Sequence, residues 1–215
     1  RNEEKNITRC LSALRMQDYP PERYEVIVID DRSTDRTPVV LEEICHAWPS
    51  LRLLAMHNTQ KGISPKKAAL AKGIALAGGE IILQTDADCV VPERWISGMA
   101  SRFEPGVGFV AGIAPYRKAP GLLNSFIRHE YLWNAALSAV SIARGGGTHA
   151  SGRNMGFRKD IFTALDGYGD SAQVLSGDDT LFHRLVRIGK SRAATQPDPE
   201  THVYTDAPRR FNEFI

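Results

Sequence analysis

Asp86-Ala87-Asp88 carries the sharpest chemistry in this 215-residue sequence. Two carboxylates one residue apart, in a turn after an apolar run, can face a hard divalent cation such as Mg2+ or Mn2+, with phosphates filling the remaining positions. The plain alternative is a solvated acidic turn. A second acidic pair, Asp30-Asp31, is followed by Ser33, Asp35 and Thr37. A carboxylate at a strand end can accept hydrogen bonds from a nucleobase N–H or from ribose hydroxyls. Ser33, Thr34 or Asp35 can also cap the next helix, but capping does not account for two adjacent acids before the loop. Lys66 and Lys67 open a helix whose free N–H groups and dipole favour an anion such as a diphosphate; a solvated lysine pair is the equal alternative. Asp178-Asp179 begins a helix after Gly177, where one acid suffices as a cap and the other is free to act as a general base. His202 reads as an ordinary strand residue rather than a metal ligand.

The elements that must position these groups are legible from pattern. Asn2 is placed to cap a helix with Glu3 and Glu4 in its first turn and Ile7, Leu11 and Leu14 on one face. Residues 24–29 form a β-branched apolar run, and 51–56 and 80–85 read as further buried strands. Helices are expected from Thr37-Pro38, from Ser64-Pro65 to Gly78-Gly79, and from Pro92 to about Phe103. A strand is expected at 107–111, a long helix at 122–143, and a turn with a short strand at 152–157. The alternation predicts an α/β doubly wound, mostly parallel sheet flanked by helices, with ligands outside the carboxyl ends of the strands. Both acidic clusters in the first half fall at such ends. Gly145-Gly146-Gly147, between Arg144 and His149, reads as a loop mobile without ligand, either a closing segment over the site or a plain linker.

Composition narrows the classes. The chain is 42% hydrophobic and 24% charged, enough for a packed core, and its net charge of +2 points to no nucleic-acid partner. Three cysteines, Cys10, Cys45 and Cys89, lie far apart and match neither a disulfide framework nor a zinc ligand set. No apolar run approaches the roughly 20 residues of a membrane span. Because the sequence starts at Arg1 on a helix-start pattern, it reads as a piece of a longer protein.

Ordered motifs along nearly the whole chain resemble the family-2 glycosyltransferases of GT-A fold. Asp30-Asp31-Arg32-Ser33-Thr34-Asp35-Arg36-Thr37 is similar to the DDGSxDxT signature, and Arg1 to Ile7 to the segment after the family's first strand. Lys66 to Gly73 is similar to GKxxALNxGI, Asp86-Ala87-Asp88 to the metal-binding DxD, and Ser151 to Phe157 to GxNMAFR. Gly177-Asp178-Asp179-Thr180-Leu181 matches (E/D)DxxL with Asp178 in place of the commoner Glu. The resemblance implies an inverting transfer of sugar from a nucleotide-sugar, a UDP-sugar first, to a hydroxyl on a glycan or lipid acceptor. In it Asp30, Asp31 and Ser33 hold the nucleotide, Asp86 sits by the ribose and diphosphate, and Asp88 with Asp86 binds Mg2+ or Mn2+. Lys66 approaches the diphosphate, Asp179 is the base beside Asp178, and Gly152 and Asn154 shape the acceptor side. Residues 1–113 would form the nucleotide-sugar half and 114–215 the acceptor half of one catalytic domain.

Two departures accompany the resemblance. The family's first strand would lie ahead of Arg1, leaving the sheet one strand short, and the QxxRW segment would lie past residue 215. Membrane helices often follow in relatives of that type, so the resemblance implies a domain at the cytoplasmic face of a membrane, attached through segments outside this chain. The rival readings are a sugar nucleotidyltransferase and a non-catalytic nucleotide- or glycan-binding module of the same fold. Sparse glycine around Lys61-Gly62 speaks against the first, and the presence of every expected acid against the second.

Overall fold

The computed structural model describes residues 1–58, 62–146, 150–168 and 191–208. In chain order the elements are α1 (Ile7–Arg15), β1 (Val26–Asp31), α2 (Thr37–Ala47), β2 (Leu51–Met56), α3 (Pro65–Leu76), β3 (Ile81–Gln84) and α4 (Trp95–Ala100). β4 (Val107–Gly112), α5 (Leu122–Ala143), β5 (Met155–Arg158), α6 (Lys159–Ala164) and β6 (Arg192–Gln196) complete them. The expected strand at 51–56 and helix at 122–143 are found with those limits. The helix expected from Pro92 is shorter, and α6 and β6 were not expected at all.

β1 and β2 pair in parallel, from Val26 opposite Leu51 to Asp31 opposite Met56. The other strands form a sheet in the order β3-β5-β4-β6, in which β4 and β6 are parallel and β5 runs antiparallel to both neighbours. Thus β3, β4 and β6 share one direction and β5 reverses it. β1 and β3 are not hydrogen-bonded to each other. Residues 26–29 and 81–84 instead wall a cleft of about 950 Å3, closed by α1 and α3.

Burial on both faces explains the apolar run of β4. Its Val110 packs with Leu11, Leu41, Trp95 and Met99, whereas Phe109 and Ala111 pack with Met155, Phe157 and Phe162. Both clusters draw on residues before and after position 113, so the core is shared across the chain. Small residues set the closest approaches. A Cβ on Gly73 of α3 would lie 2.5 Å from the Ile29 Cδ1, which is how α3 lies tight against β1.

The N-terminal segment differs from expectation. Asn2 does not cap α1; it adopts φ +60°, and its side chain accepts from the Thr34 N–H at 2.8 Å. The Asn2 N–H donates to Ser33 Oγ and the Glu3 N–H to Thr37 Oγ1, each at 2.8 Å. Free backbone donors at the chain start are satisfied by the acidic loop, and that pairing outcompetes a local cap.

In the interior, Asn154 is fully buried and its amide is hydrogen-bonded to protein. Its Oδ1 accepts from the Trp95 indole at 2.9 Å, and its amide nitrogen donates to Ile113 O at 2.9 Å and Thr201 O at 3.1 Å. A Cβ on Gly112 would lie 2.3 Å from the Asn154 amide carbon, so only glycine fits beside it. Asn154→Ala strands an indole N–H and two carbonyls in the interior, and is expected to cost about 3 kcal/mol in urea denaturation. A loss below about 0.5 kcal/mol would show that the amide does not tie these segments together.

Candidate functional site

The turn at residues 86–89 follows β3 and is closed by the Cys89 N–H donating to Asp86 O at 3.1 Å. Its two carboxylates stand where two cavities meet: Asp86 and Asp88 line both the cleft between β1 and β3 and a second cavity of about 610 Å3. The second cavity is walled by Tyr116, residues 151–153 and residues 205–208. Asp88 is held from two sides. Thr205 Oγ1 donates to its Oδ2 at 2.9 Å, and the Cys89 thiol donates to its Oδ1 at 3.4 Å. Thr205 arrives there because residues 204 and 205 bridge Val90 on one side and Tyr116 on the other.

Both nearby thiols stay protonated. Burial pushes the Cys10 thiol up to about 12, with the carboxylates of Asp88 and Asp86 adding to the rise. Burial and the same two acids push Cys89 up as well, so it serves Asp88 as a hydrogen-bond donor. Lys66 Nζ pairs with Asp86 Oδ1 at 3.2 Å, joining the lysine at the start of α3 to the acidic turn. Lys67, by contrast, is buried, with its ammonium 5.6 Å from the Tyr168 ring centre.

Asp30 and Asp31 end β1 and diverge. Asp31 lines the cleft, while Asp30 turns to the loop that follows. Asp30 is 8% exposed and accepts from the Ser33 hydroxyl and, at 3.3 Å, from the Ser33 N–H. It therefore braces the loop, and Ser33 is spent on Asp30 and Asn2, where both had been expected against the nucleotide. Asp31 is gripped by Arg32 at 2.8 and 3.1 Å, and the Arg32 hydrogen bond holds its carboxyl below the usual range.

Residues 1–165 match the description "Glycosyl transferase family 2". The chain belongs to that family. Among its relatives, AglE of Haloferax volcanii is 34% identical over 112 residues, covering 52% of this chain and 36% of AglE. A Methanococcus voltae protein named dolichyl N-acetyl-alpha-D-glucosaminyl phosphate 3-beta-D-2,3-diacetamido-2,3-dideoxy-beta-D-glucuronosyltransferase is 51% identical over 120 residues, 52% of this chain and 36% of that protein. YdaM of Bacillus subtilis, a probable glycosyltransferase, is 29% identical and covers 87% of this chain and 45% of its own. The chain thus spans well under two thirds of these relatives. The structure is similar to the Pyrobaculum calidifontis mannosyltransferase PcManGT, solved with GDP-mannose and Mn2+, with TM-score 0.76 and 26% identity over 98% of this chain and 55% of PcManGT. Staphylococcus aureus TarS, with TM-score 0.69 and 19% identity over 96% of this chain and 35% of TarS, shares the fold.

Within this family member, the expected site residues separate into three groups. Asp86, Asp88, Lys66 and Asp31 line the connected cavities, and Gly152 lines the smaller one. Asp30, Ser33 and Asn154 are turned inward as braces; Asn154 shapes the second cavity only by fixing the turn before it. Asp178 and Asp179 lie outside the described residues, as do residues 147–149 of the glycine loop. Gly146 belongs to the α5 terminus, its N–H donating to Ser141 O at 2.9 Å. His202 is an ordinary residue closing the short 3-10 helix Pro199–Thr201, its Nε2 3.2 Å from Pro197 O. Among the described residues no helix is long and apolar enough to cross a membrane.

Sequence reasoning missed Tyr116, Arg153, Thr205 and Asp206, all on the smaller cavity. Arg153 stands inside the GxNMAFR-like stretch, so its place between Gly152 and Asn154 was the available signal. Asp206 pairs with Arg9 at 3.3 Å and Arg117 at 3.6 Å.

The Asp31–Arg32 pair has a definite pH signature. A depressed folded pKa contributes stability above the unfolded value, and that contribution is lost as pH falls below about 4 through the folded value. Arg32→Met should move the Asp31 carboxyl titration up toward the ordinary range, as read by 13C NMR. An unchanged titration would remove Arg32 as its cause.

Proposed function

We propose that this chain is the catalytic domain of an inverting glycosyltransferase, moving a sugar from a nucleoside-diphosphate sugar, a UDP-sugar first, to a hydroxyl acceptor. The observation that carries the reading is the position of Asp88, fixed by Thr205 and Cys89 at the junction of two cavities. The carboxyl end of the β1–β3 cleft, beside Asp31, Lys66 and Asp86, takes the nucleotide end of the donor, and the smaller cavity, lined in part by Gly152, takes the acceptor. Residues 1–113 then supply the donor side and 114–215 the acceptor side. UDP is favoured by similarity to Staphylococcus aureus TarS, 32% identical over 101 residues and solved in complex with UDP and with UDP-GlcNAc. The PcManGT complex makes GDP the comparison to run.

The donor set suits a hard cation. Asp88 offers carboxylate oxygens braced by neutral donors, with Asp86 two residues away and two open cavities on which phosphate oxygens can complete the shell. Asp88 and Asp86 would hold Mg2+ or Mn2+, which acts as a Lewis acid on the diphosphate. Lys66, paired with Asp86, adds positive charge where the departing nucleoside diphosphate gains negative charge. The incoming hydroxyl is a weak nucleophile until a carboxylate takes its proton. We assign that proton to Asp179, with Asp178 beside it, from the family motif.

Among the described residues both walls of the β1–β3 cleft are strand edges with no partner across it, which supports a strand ahead of Arg1 filling the body of the cleft and leaves its carboxyl end to the nucleotide. Attachment to the cytoplasmic face of a membrane, and a glycan or lipid acceptor, belong to the same reading. Named lipid glycosyltransferases among the relatives, such as the beta-monoglucosyldiacylglycerol synthase of Synechocystis, support the lipid arm.

Calorimetry of the full-length protein tests the donor side. UDP should bind with Mn2+ and lose at least about tenfold in affinity with chelator, and Asp88→Ala should erase that difference. Equal UDP affinity with and without chelator would contradict the metal assignment. Asp179→Asn should cut turnover by about 100-fold or more while UDP affinity holds. Near-normal turnover in Asp179→Asn together with loss in Asp178→Asn would move the base to Asp178.

A further inference from the structure

The smaller cavity holds one group that the donor chemistry above does not use. Arg153 projects from the turn before β5 into the corner of two tyrosine rings. Its guanidinium carbon lies 4.4 Å from the Tyr116 ring centre and 5.1 Å from that of Tyr131. The rings meet edge to face, 5.9 Å apart at 81°. Both are anchored: the Tyr131 hydroxyl accepts from the Ala114 N–H, and the Tyr116 carbonyl accepts from Arg128 Nε at 3.2 Å. Arg153 Nε donates to Ser151 Oγ at 3.2 Å. Its two terminal nitrogens have no protein partner among the described residues.

The charges of this cavity explain why such an arginine is informative. Asp86 is paired with Lys66, and Asp206 with Arg9 and Arg117. Among the described residues that leave no ion pair on this cavity, Asp88 is the acid and Arg153 the base. The two opposite charges stand on one cavity without touching. A half-buried guanidinium stacked on fixed rings has already lost most of its rotamer freedom, so an incoming oxyanion meets a pre-set two-pronged donor.

We propose that Arg153, with Tyr116 and Tyr131 as its stacking platform, is an oxyanion subsite that binds a phosphate group of a substrate. The subsite rests on the glycosyltransferase reading and deepens it. The phosphate comes either from the donor diphosphate reaching across the 86–88 turn, or from an acceptor that carries phosphate near its accepting hydroxyl.

The test uses the full-length protein with uridine, UDP and inorganic phosphate as calorimetric probes, the last also at saturating UDP and Mn2+. Arg153→Gln should leave uridine binding unchanged and weaken an oxyanion probe by about tenfold or more. If UDP weakens, the donor supplies the phosphate. If UDP holds and phosphate binding at saturating UDP is lost, the acceptor does. Arg153→Lys keeps the charge without the fork and should regain part of the affinity; it also serves as the test protein if Arg153→Gln fails to fold, with a smaller loss expected than for Gln. Unchanged UDP and phosphate affinities in the folded variant would overturn the subsite. Absence of UDP and GDP binding in the wild type would instead count against the glycosyltransferase reading, leaving phosphate binding to decide the subsite separately.

Discussion

A primary amide enclosed in an apolar interior must find partners for its donors and its acceptor or destabilise the fold. Asn154 finds them on three separate stretches of chain, the Trp95 indole of α4 and the carbonyls of Ile113 and Thr201. The consequences spread outward. Gly112 must lack a side chain to let the amide in, and the turn at 151–153 must leave the interior just before it. That turn then presents Gly152 and Arg153 to the same cavity as Asp88. That wall of the cavity is thus located by hydrogen bonds made wholly in the interior.

The near wall depends on a second long-range tie. Thr205, 117 residues from Asp88 in sequence, donates its hydroxyl to that carboxylate. Its segment is stitched to Val90 and Tyr116 by backbone bridges. Two protonated thiols complete the surroundings, and burial beside acids is what keeps them protonated. The acidic turn is therefore oriented by neutral donors, while cations neutralise its neighbours Asp86 and Asp206. Orientation by neutral donors holds the Asp88 carboxylate in one direction without an ion pair among the described residues, the condition for meeting a cation.

The legibility of this architecture follows the range of the forces involved. β2 and α5 were readable because their residues carry a local period and clear end signals. The reversal of β5 was not, since strand direction is decided by which neighbour it meets and not by its own four residues. β6, with the sequence Arg-Ala-Ala-Thr-Gln, has few apolar residues and exists through its pairing with β4. Motif reading placed Asp30 and Asp31 together on the nucleotide, whereas the structure turns the Asp30 carboxylate to Ser33 and leaves Asp31 on the cleft, a difference set by the loop that each meets. The burial of Asn154 was not legible from its motif either, because burial is a property of the assembled core. Arg153 acquires meaning only from Tyr116 and Tyr131, which lie 37 and 22 residues away, and no spacing rule links them.

The central claim is that donor phosphates meet the protein at the 86–88 turn, between the carboxyl end of the β1–β3 cleft and the cavity of Arg153. Anomalous diffraction from crystals of the full-length protein grown with UDP and Mn2+ tests it directly. The manganese peak should lie within coordination distance of the Asp88 carboxylate, with both phosphates beside it and the uridine extending along Asp31. A manganese or diphosphate bound away from residues 86–88 would contradict the claim.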